Sequence, residues 1–234
     1  MKTDFHSHIL PGMDDGARDV ETSLEMLNIL KNQGIKEVFA TSHFYIQRDS
    51  LEGYLKRRSR AYSSLISSQP AIKKIRLGAE VYLQKNIHKT RGLERLAIED
   101  SRFILLELPY TAFNEWMLTE IKAISKEYGL IPVVAHLHRY GNWYSASEIN
   151  KVLNLDCVFQ INADTFQTPT EAKLTLKMIN EGYPLVFGSD THNMETRPPH
   201  FNLLNAALST HLPPTTLNTL LTNTNKIITK GILR

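Results

Sequence analysis

Seven short apolar runs punctuate this 234-residue chain, separated by longer stretches with the 3.6-residue apolar period of helices. The runs fall near residues 3–6, 37–41, 74–79, 103–107, 131–135, 157–162 and 184–188. Strands spaced this far apart are joined by helical crossovers rather than hairpins, which gives a parallel sheet flanked by helices. The expected fold is therefore α/β, a single domain over residues 1–234, with its βα units forming a closed or nearly closed barrel.

The helical patterns cover 19–33, with Val20, Leu24, Leu27 and Leu30 on one face and Gly34 as the stop, and 51–68, basic on its outer face. Others cover 115–128, ended by Gly129, and 170–180, followed by Gly182. Another starts at Ser145, where Glu148 completes a capping box. The pattern is weakest over 84–100, where Arg91-Gly92 interrupts a short helix. Pro198-Pro199 marks a turn, and Pro213-Pro214 opens a last helix to about Lys230.

An apolar content of 42% supplies one core. A formal charge of +3, with both signs interspersed, gives no clustered basic face for nucleic acid. The single cysteine, Cys157, excludes an intrachain disulfide and suits a reducing compartment. No apolar run reaches the ~18 residues of a bilayer span, and no basic-then-apolar leader precedes Asp4-Phe5-His6. The expectation is a cytoplasmic protein without membrane insertion, its oligomeric state open.

Function is written at the ends of the apolar runs, which carry His6 and His8, His43, Glu80, Glu107, His136, and Asp190 with His192. In a βα barrel the C-terminal strand ends share one mouth, so donors placed there converge. On extended backbone, residues i and i+2 point the same way, so His6/His8 and Asp190/His192 can each chelate. A carboxylate at the end of a buried strand is costly unless paired with a cation. Asp14-Asp15-Gly16 reads equally as a turn and as the source of one more oxygen donor, Asp15. These nine groups exceed the needs of one ion, and their imidazole–carboxylate mix suits manganese, iron or zinc rather than a thiolate site. Two or three ions ~3.5–4 Å apart supply a hydroxide at neutral pH and a clamp for in-line displacement on phosphorus.

The segments Asp4-Phe5-His6-Ser7-His8-Ile9-Leu10-Pro11-Gly12, Asp14-Asp15-Gly16-Ala17, Gly78-Ala79-Glu80, His136-x-x-Arg139-Tyr140 and Gly188-Ser189-Asp190-x-His192-Asn193 resemble those of the polymerase-and-histidinol-phosphatase (PHP) superfamily. Within it the chain looks like the bacterial protein tyrosine phosphatases encoded with capsule and exopolysaccharide genes. The likeness covers nearly the whole chain. It implies a distorted seven-stranded (β/α)7 TIM-like barrel and a trinuclear site, usually active with manganese, held by His6, His8, Asp15, His43, Glu80, Glu107, His136, Asp190 and His192. It favours Asp15 over Asp14, makes Glu80 a bridge between ions, and casts Arg139 as a phosphate contact. It further implies, as substrate and partner, the phosphotyrosyl tail of a bacterial tyrosine kinase. The family often has Pro-Glu where this chain has Leu137-His138; His138 is either a proton carrier or merely exposed. The departing tyrosyl oxygen would leave either stabilised by metal or protonated by a nearby histidine, His192 or His138. Phe44, Tyr45 and Tyr110 either flank the substrate ring or pack the rim.

Four rivals share some of these features. A cysteine-based phosphatase needs Cys-x5-Arg, but Ala163 stands where that arginine would be, so Cys157 is core. An amidohydrolase also carries His-x-His on its first strand, but fits Glu80, Glu107 and the terminal Asp-x-His less well. A PHP phosphatase for a small ester such as histidinol phosphate would use the same metal chemistry. A non-catalytic PHP scaffold typically loses ligands, whereas all nine positions are filled here.

Overall fold

The computed structural model describes residues 1–231. It is an α/β fold in which every strand pairing is parallel. The strands are β1 (Thr3–Ser7), β2 (Glu37–Ala40), β3 (His43–Phe44), β4 (Lys74–Leu77), β5 (Glu80–Tyr82), β6 (Phe103–Glu107), β7 (Ile131–Val134), β8 (Val158–Asn162) and β9 (Leu185–Gly188). The helices are α1 (Val20–Asn32), α2 (Leu51–Ser67), α3 (Trp116–Tyr128), α4 (Ala146–Leu153), α5 (Pro169–Asn180), α6 (Phe201–His211) and α7 (Pro214–Lys230). One sheet has the order β1-β2-β4, the other β3-β5-β6-β7-β8-β9.

Two features connect the sheets. The chain of β4 runs through Gly78-Ala79 directly into β5 of the other sheet. On the opposite side β1 and β9 meet through a parallel bridge between Ser7 and Thr191, with His8 N–H donating to Thr191 O at 3.0 Å and Asp190 N–H to His6 O at 2.7 Å. β1 and β9 approach so closely that a Cβ on Gly188 would lie 2.5 Å from the His6 Cβ. Only glycine permits that spacing.

Alternation along the strands sorts the interior. Phe103 and Leu105 of β6, Val133 of β7, Val158 of β8 and Val186 of β9 join Phe5 and Phe39 in a cluster of buried residues distinct from the larger one. The Phe5 ring lies 4.8 Å from Phe39 and 5.6 Å from Phe103, so β1 touches β6 of the other sheet through the interior. With a side-chain period of 2, the face holding Phe103 and Leu105 ends in Glu107, and the face holding Val158 continues as Gln160 and Asn162. A dry interior thus opens at its C-terminal end into buried polar groups.

All seven expected strands are present, and the capping box at Ser145 and Glu148 forms as read. Three details differ. β3 and β5 are extra short strands, formed where the chains of β2 and β4 bend at Thr41-Ser42 and Gly78-Ala79 and change partners. The 84–100 stretch forms two 3-10 turns, Ile87–Lys89 and Leu93–Leu96, on either side of Gly92 at φ 86. Between the two Pro-Pro pairs lies α6, which burial of Phe201, Leu204 and Leu208 stabilises without a side-chain cap.

Candidate metal centre

The nine candidate donors lie together where β1, β2, β4, β6, β7 and β9 run out, with His43 and Glu80 opening the short strands β3 and β5 that follow β2 and β4, and Asp15 on the loop after β1. His6 of β1 and His8 just beyond it bring their Nε2 atoms within 3.0 Å of each other. Glu80, at the start of β5, lies between the histidines. Its Oε2 is 3.2 Å from His6 Nε2, 3.3 Å from His8 Nε2 and 3.0 Å from His43 Nδ1, while its Oε1 meets His136 Nε2 at 2.9 Å. Asp190 Oδ1 lies 3.5 and 3.4 Å from the same nitrogens of His6 and His8. Asp15 Oδ1 faces His43 Nε2 at 3.6 Å and His192 Nε2 at 3.5 Å. Glu107 approaches His43 and His136 at 3.8 and 3.7 Å.

Three overlapping groups therefore offer ligand atoms lying within 4.8 Å of one another: His8, Asp15, His43 and His192; His6, His8 and Asp190; and His43, Glu80 and Glu107. Eight donors belong to these groups, and His136 joins through Glu80. Among the described residues, Glu80 Oε2, Glu107 Oε2, His43 Nδ1 and His192 Nε2 are buried without a hydrogen-bond partner. Native interiors rarely tolerate such orphans, and so many lone pairs aimed inward suit cations. The donors fit divalent ions of the manganese, iron and zinc type.

The electrostatics agree. Burial and the charge of Glu80 push Glu107 up to about 8, so two carboxylates share the site uneasily without a cation. Burial would raise Glu80 too, yet His6 and His43 hold it well below the usual range. Burial opposes charge on His8, but Asp14 overcomes it and raises that imidazole well above its ordinary value.

Surrounding groups fix the donors. Asp14 and Asp15 divide the labour between them: Asp14 Oδ2 accepts from His8 Nδ1 at 2.7 Å and from the His43 N–H at 2.7 Å, whereas Asp15 faces the cluster. A carboxylate on the far nitrogen of an imidazole sets its tautomer and leaves Nε2 free for a metal. Gly16 allows this fold-back, since a Cβ there would lie 2.3 Å from His8 O. Gln160 Oε1 accepts from the His136 N–H at 2.7 Å and lies 3.0 Å from His6 Nδ1; its amide donates to Asn162 Oδ1 at 2.8 Å. Asn162 Nδ2 in turn donates to Asp190 Oδ2 at 2.9 Å. Asp4 accepts from Ser189 N–H and Oγ–H at 2.8 and 2.6 Å, tying β1 to the segment that carries Asp190. His136 at φ 33 and Asp190 at φ 52 occupy the left-handed region, strain these contacts hold in place.

Sequence reading overlooked Asp4, Gln160, Asn162 and Arg197, and gave Asp14 no role beyond the turn once Asp15 was preferred as the donor. Gln160 and Asn162 had a signal, two amides at i and i+2 inside an apolar run.

Arg139 Nη1 donates to Asp190 Oδ2 at 2.9 Å and Arg197 Nη2 to the same oxygen at 2.6 Å, so two guanidiniums border the cluster. The Arg139-bearing turn, Leu137–Asn142, is anchored by Tyr140 Oη–H to Leu108 O at 2.8 Å. His138 is not exposed, contrary to one expectation. Its ring is wholly buried, both nitrogens lack a hydrogen-bond partner among the described residues, and burial holds it well below its ordinary value. Its nearest carboxylate is Glu171 Oε2 at 3.9 Å, outside the cluster. Phe44 does not flank the site either; it is buried edge-on against Tyr54 at 5.2 Å. Tyr45 does lie at the mouth, 5.3 Å from the His43 ring, and Tyr110 stacks at 5.9 Å on His136, with its edge toward Trp143. Cys157 is buried, as expected of a core thiol.

Comparison with known proteins bears on the fold and the family. A crystal-structure study of YwqE from Bacillus subtilis and CpsB from Streptococcus pneumoniae, described as unique metal-dependent tyrosine phosphatases, provides a chain that superposes with a TM-score of 0.80 at 23% identity, covering 97% of this chain and 94% of that one. The phosphotriesterase homology protein of Escherichia coli, solved with phosphate in its active site, superposes at 0.55 and 11% identity over 94% and 95% of the two chains. The tyrosine-protein phosphatase CpsB of Streptococcus pneumoniae is 27% identical over 213 residues, 84% of this chain and 85% of that one. The family of capsular polysaccharide synthesis proteins, CpsB/CapC, matches residues 2–229, and the chain belongs to it.

Proposed function

We infer that this chain is a metal-dependent protein tyrosine phosphatase whose nine donors hold three divalent ions, manganese being the expected occupant. The fold read with it is one distorted seven-stranded barrel, in which β2–β3 and β4–β5 are each a single bent strand. The protein would act in the cytoplasm on the phosphotyrosyl tail of a bacterial tyrosine kinase in capsule or exopolysaccharide synthesis. The observation that carries this reading is the convergence of orphaned imidazole and carboxylate atoms beside two arginines that share Asp190.

Bound ions would supply Lewis acidity and a water acidic enough to attack phosphorus at neutral pH. The chain's own residues do the rest. Glu80 presents one oxygen to His136 and the other to His6, His8 and His43, the disposition of a bridging ligand. Asp190 turns Oδ1 to His6 and His8 and Oδ2 to the arginines, which couples the ion cluster to the phosphate-binding edge. Arg139 would turn its remaining N–H groups on the phosphoryl oxygens, where preorganised charge stabilises the transition state. His192 keeps Nδ1 on Asp190 O at 2.9 Å and offers Nε2 to the cluster. Of the two histidines considered for the leaving-group proton, neither is placed to give one: His192 commits Nδ1 to Asp190 O and Nε2 to the cluster, and His138 is buried outside it, so the departing tyrosyl oxygen would be stabilised by bound ions.

The same centre would serve a small phosphomonoester such as histidinol phosphate. Hydrolysis of phosphotyrosyl peptides and of histidinol phosphate, with and without added manganese, separates the two. The peptides should be cleaved faster, and only with metal; preference for histidinol phosphate would overturn the peptide assignment, and loss of both with full metal occupancy would leave a binding scaffold.

A further inference from the structure

Beside the candidate centre the surface opens into a cleft of about 460 Å³, lined by Met13, Asp14, Asp15, His43, Tyr45, Arg48, Asp49 and Arg57. It begins at two of the candidate donors, so a group seated there lies next to anything bound at the cluster. The charges along its walls are not equivalent. Asp14 is saturated by His8, the His43 N–H and the Gly16 N–H. Asp15 is turned to His43 and His192, and Asp49 is paired with Arg57.

Arg48 is different. Among the described residues it has no carboxylate partner, and its guanidinium carbon sits 4.6 Å over the Tyr45 ring. A guanidinium seated over a ring is held there by the cation–π attraction and keeps N–H groups for a second partner, a fork matched to a carboxylate or phosphate. Tyr45 in turn lies against the His43 ring at 5.3 Å and Tyr82 at 5.3 Å, so the free fork stands one aromatic ring away from the candidate centre.

We propose that this cleft is an anion subsite, in which Arg48 on its Tyr45 platform binds an acidic group on a residue flanking the phosphotyrosine. The proposal rests on the phosphatase reading and deepens it, because it makes the substrate class acidic phosphotyrosyl peptides rather than phosphotyrosine in any context. An extended peptide advances ~3.3–3.6 Å per residue, so the group would belong to a position within about three residues of the phosphotyrosine. The flanking anion could be a carboxylate or a second phosphate; the same fork takes both, and the phosphate, with more charge, should bind more strongly.

Phosphotyrosyl peptides with glutamate, phosphoserine or alanine at the neighbouring positions distinguish these sources. Their binding is read by fluorescence anisotropy and their hydrolysis as kcat/KM, on the metal-loaded full chain. A charge pair at a solvent-exposed rim should favour acidic over neutral peptides by about two- to fivefold, with the preference fading at high salt. Arg48→Gln should bring the acidic-to-neutral ratio to about one, and Arg48→Glu should invert it. Lys73→Gln removes the same charge at the N-terminal end of β4, outside the cleft, and should leave the ratio as in the native chain. An equal ratio in the native chain, a ratio that survives Arg48→Gln, or an equal fall in Lys73→Gln would each overturn the subsite. Absence of hydrolysis with the anisotropy preference intact would overturn the phosphatase reading while leaving the subsite standing.

Discussion

Replacing Gly188 with alanine tests whether β1 and β9 are pressed together as the fold requires. The new Cβ would lie 2.5 Å from His6 Cβ and 2.7 Å from His6 N, the latter a backbone atom that no rotamer change can remove. Ordinary carbon contacts lie at ~3.5–4.0 Å, so β9 must retreat from β1 by about 1 Å. Overpacking of that size costs about 1–3 kcal/mol, roughly 2–12 °C in Tm for a chain of this length. The same retreat moves Asp190, which approaches His6 and His8 at 3.5 and 3.4 Å, and His192, whose ring centroid lies 3.8 Å from that of His8, away from the histidines of the first strand. A misplacement of about 1 Å can cost on the order of 10²-fold in turnover. Calorimetry of the metal-free protein reads the first effect, and metal titration with turnover reads the second. A Gly188→Ala protein with unchanged Tm and unchanged metal binding would refute the proposed packing of these strands.

Other expectations follow from the donors and their supports. Asp14→Ala removes the acceptor for His8 Nδ1 and should weaken metal binding by about ten- to a hundredfold, measured by competition with a chelating dye; undiminished affinity would make Asp14 mere turn material. Arg139→Ala should lower kcat by about 10²–10³-fold, and unchanged kinetics would remove it from the phosphate site. Metal uptake should release protons at neutral pH. The Glu107 pKa of about 8 is raised, so in the metal-free chain this carboxyl keeps its proton below that pH and metal must displace it. Affinity should therefore rise with pH up to about 8, and His8, also raised, steepens that slope. By the same sign, the contribution of Glu107 to metal-free stability is present below the ordinary carboxylate range and lost as pH climbs through about 8. Calorimetric titration in buffers of different ionisation enthalpy counts these protons; a pH-independent affinity would contradict the shift.

Much of the fold was legible because its signals are local. Strands such as Phe103–Glu107 are buried along their whole length and so read as unbroken apolar runs, while Ser145 with Glu148 announces a helix start. α6 escaped because His200 makes no side-chain cap and no acidic residue marks its first turn; tertiary burial of one face makes it a helix. β3 and β5 span two and three residues, too few to leave a period. The donors were legible because an imidazole or carboxylate ending a buried strand is expensive in isolation. Their supports were not. The links from Asp4 to Ser189 and from Gln160 to His6 exist only once β8 and β9 lie beside β1, and that from Arg197 to Asp190 only once the loop after β9 folds back on itself. His138 shows the opposite failure: a histidine beside an expected site, buried where no donor or acceptor among the described residues meets it.

Elemental analysis of the purified protein by mass spectrometry, before and after exhaustive chelation and manganese return, bears on the central assignment most directly. Close to three divalent ions per chain should be found, with phosphotyrosyl-peptide hydrolysis vanishing on chelation and returning with metal. A protein that binds no divalent ion at saturation, or that hydrolyses the peptide equally well when stripped, would show that these nine side chains meet for some other reason.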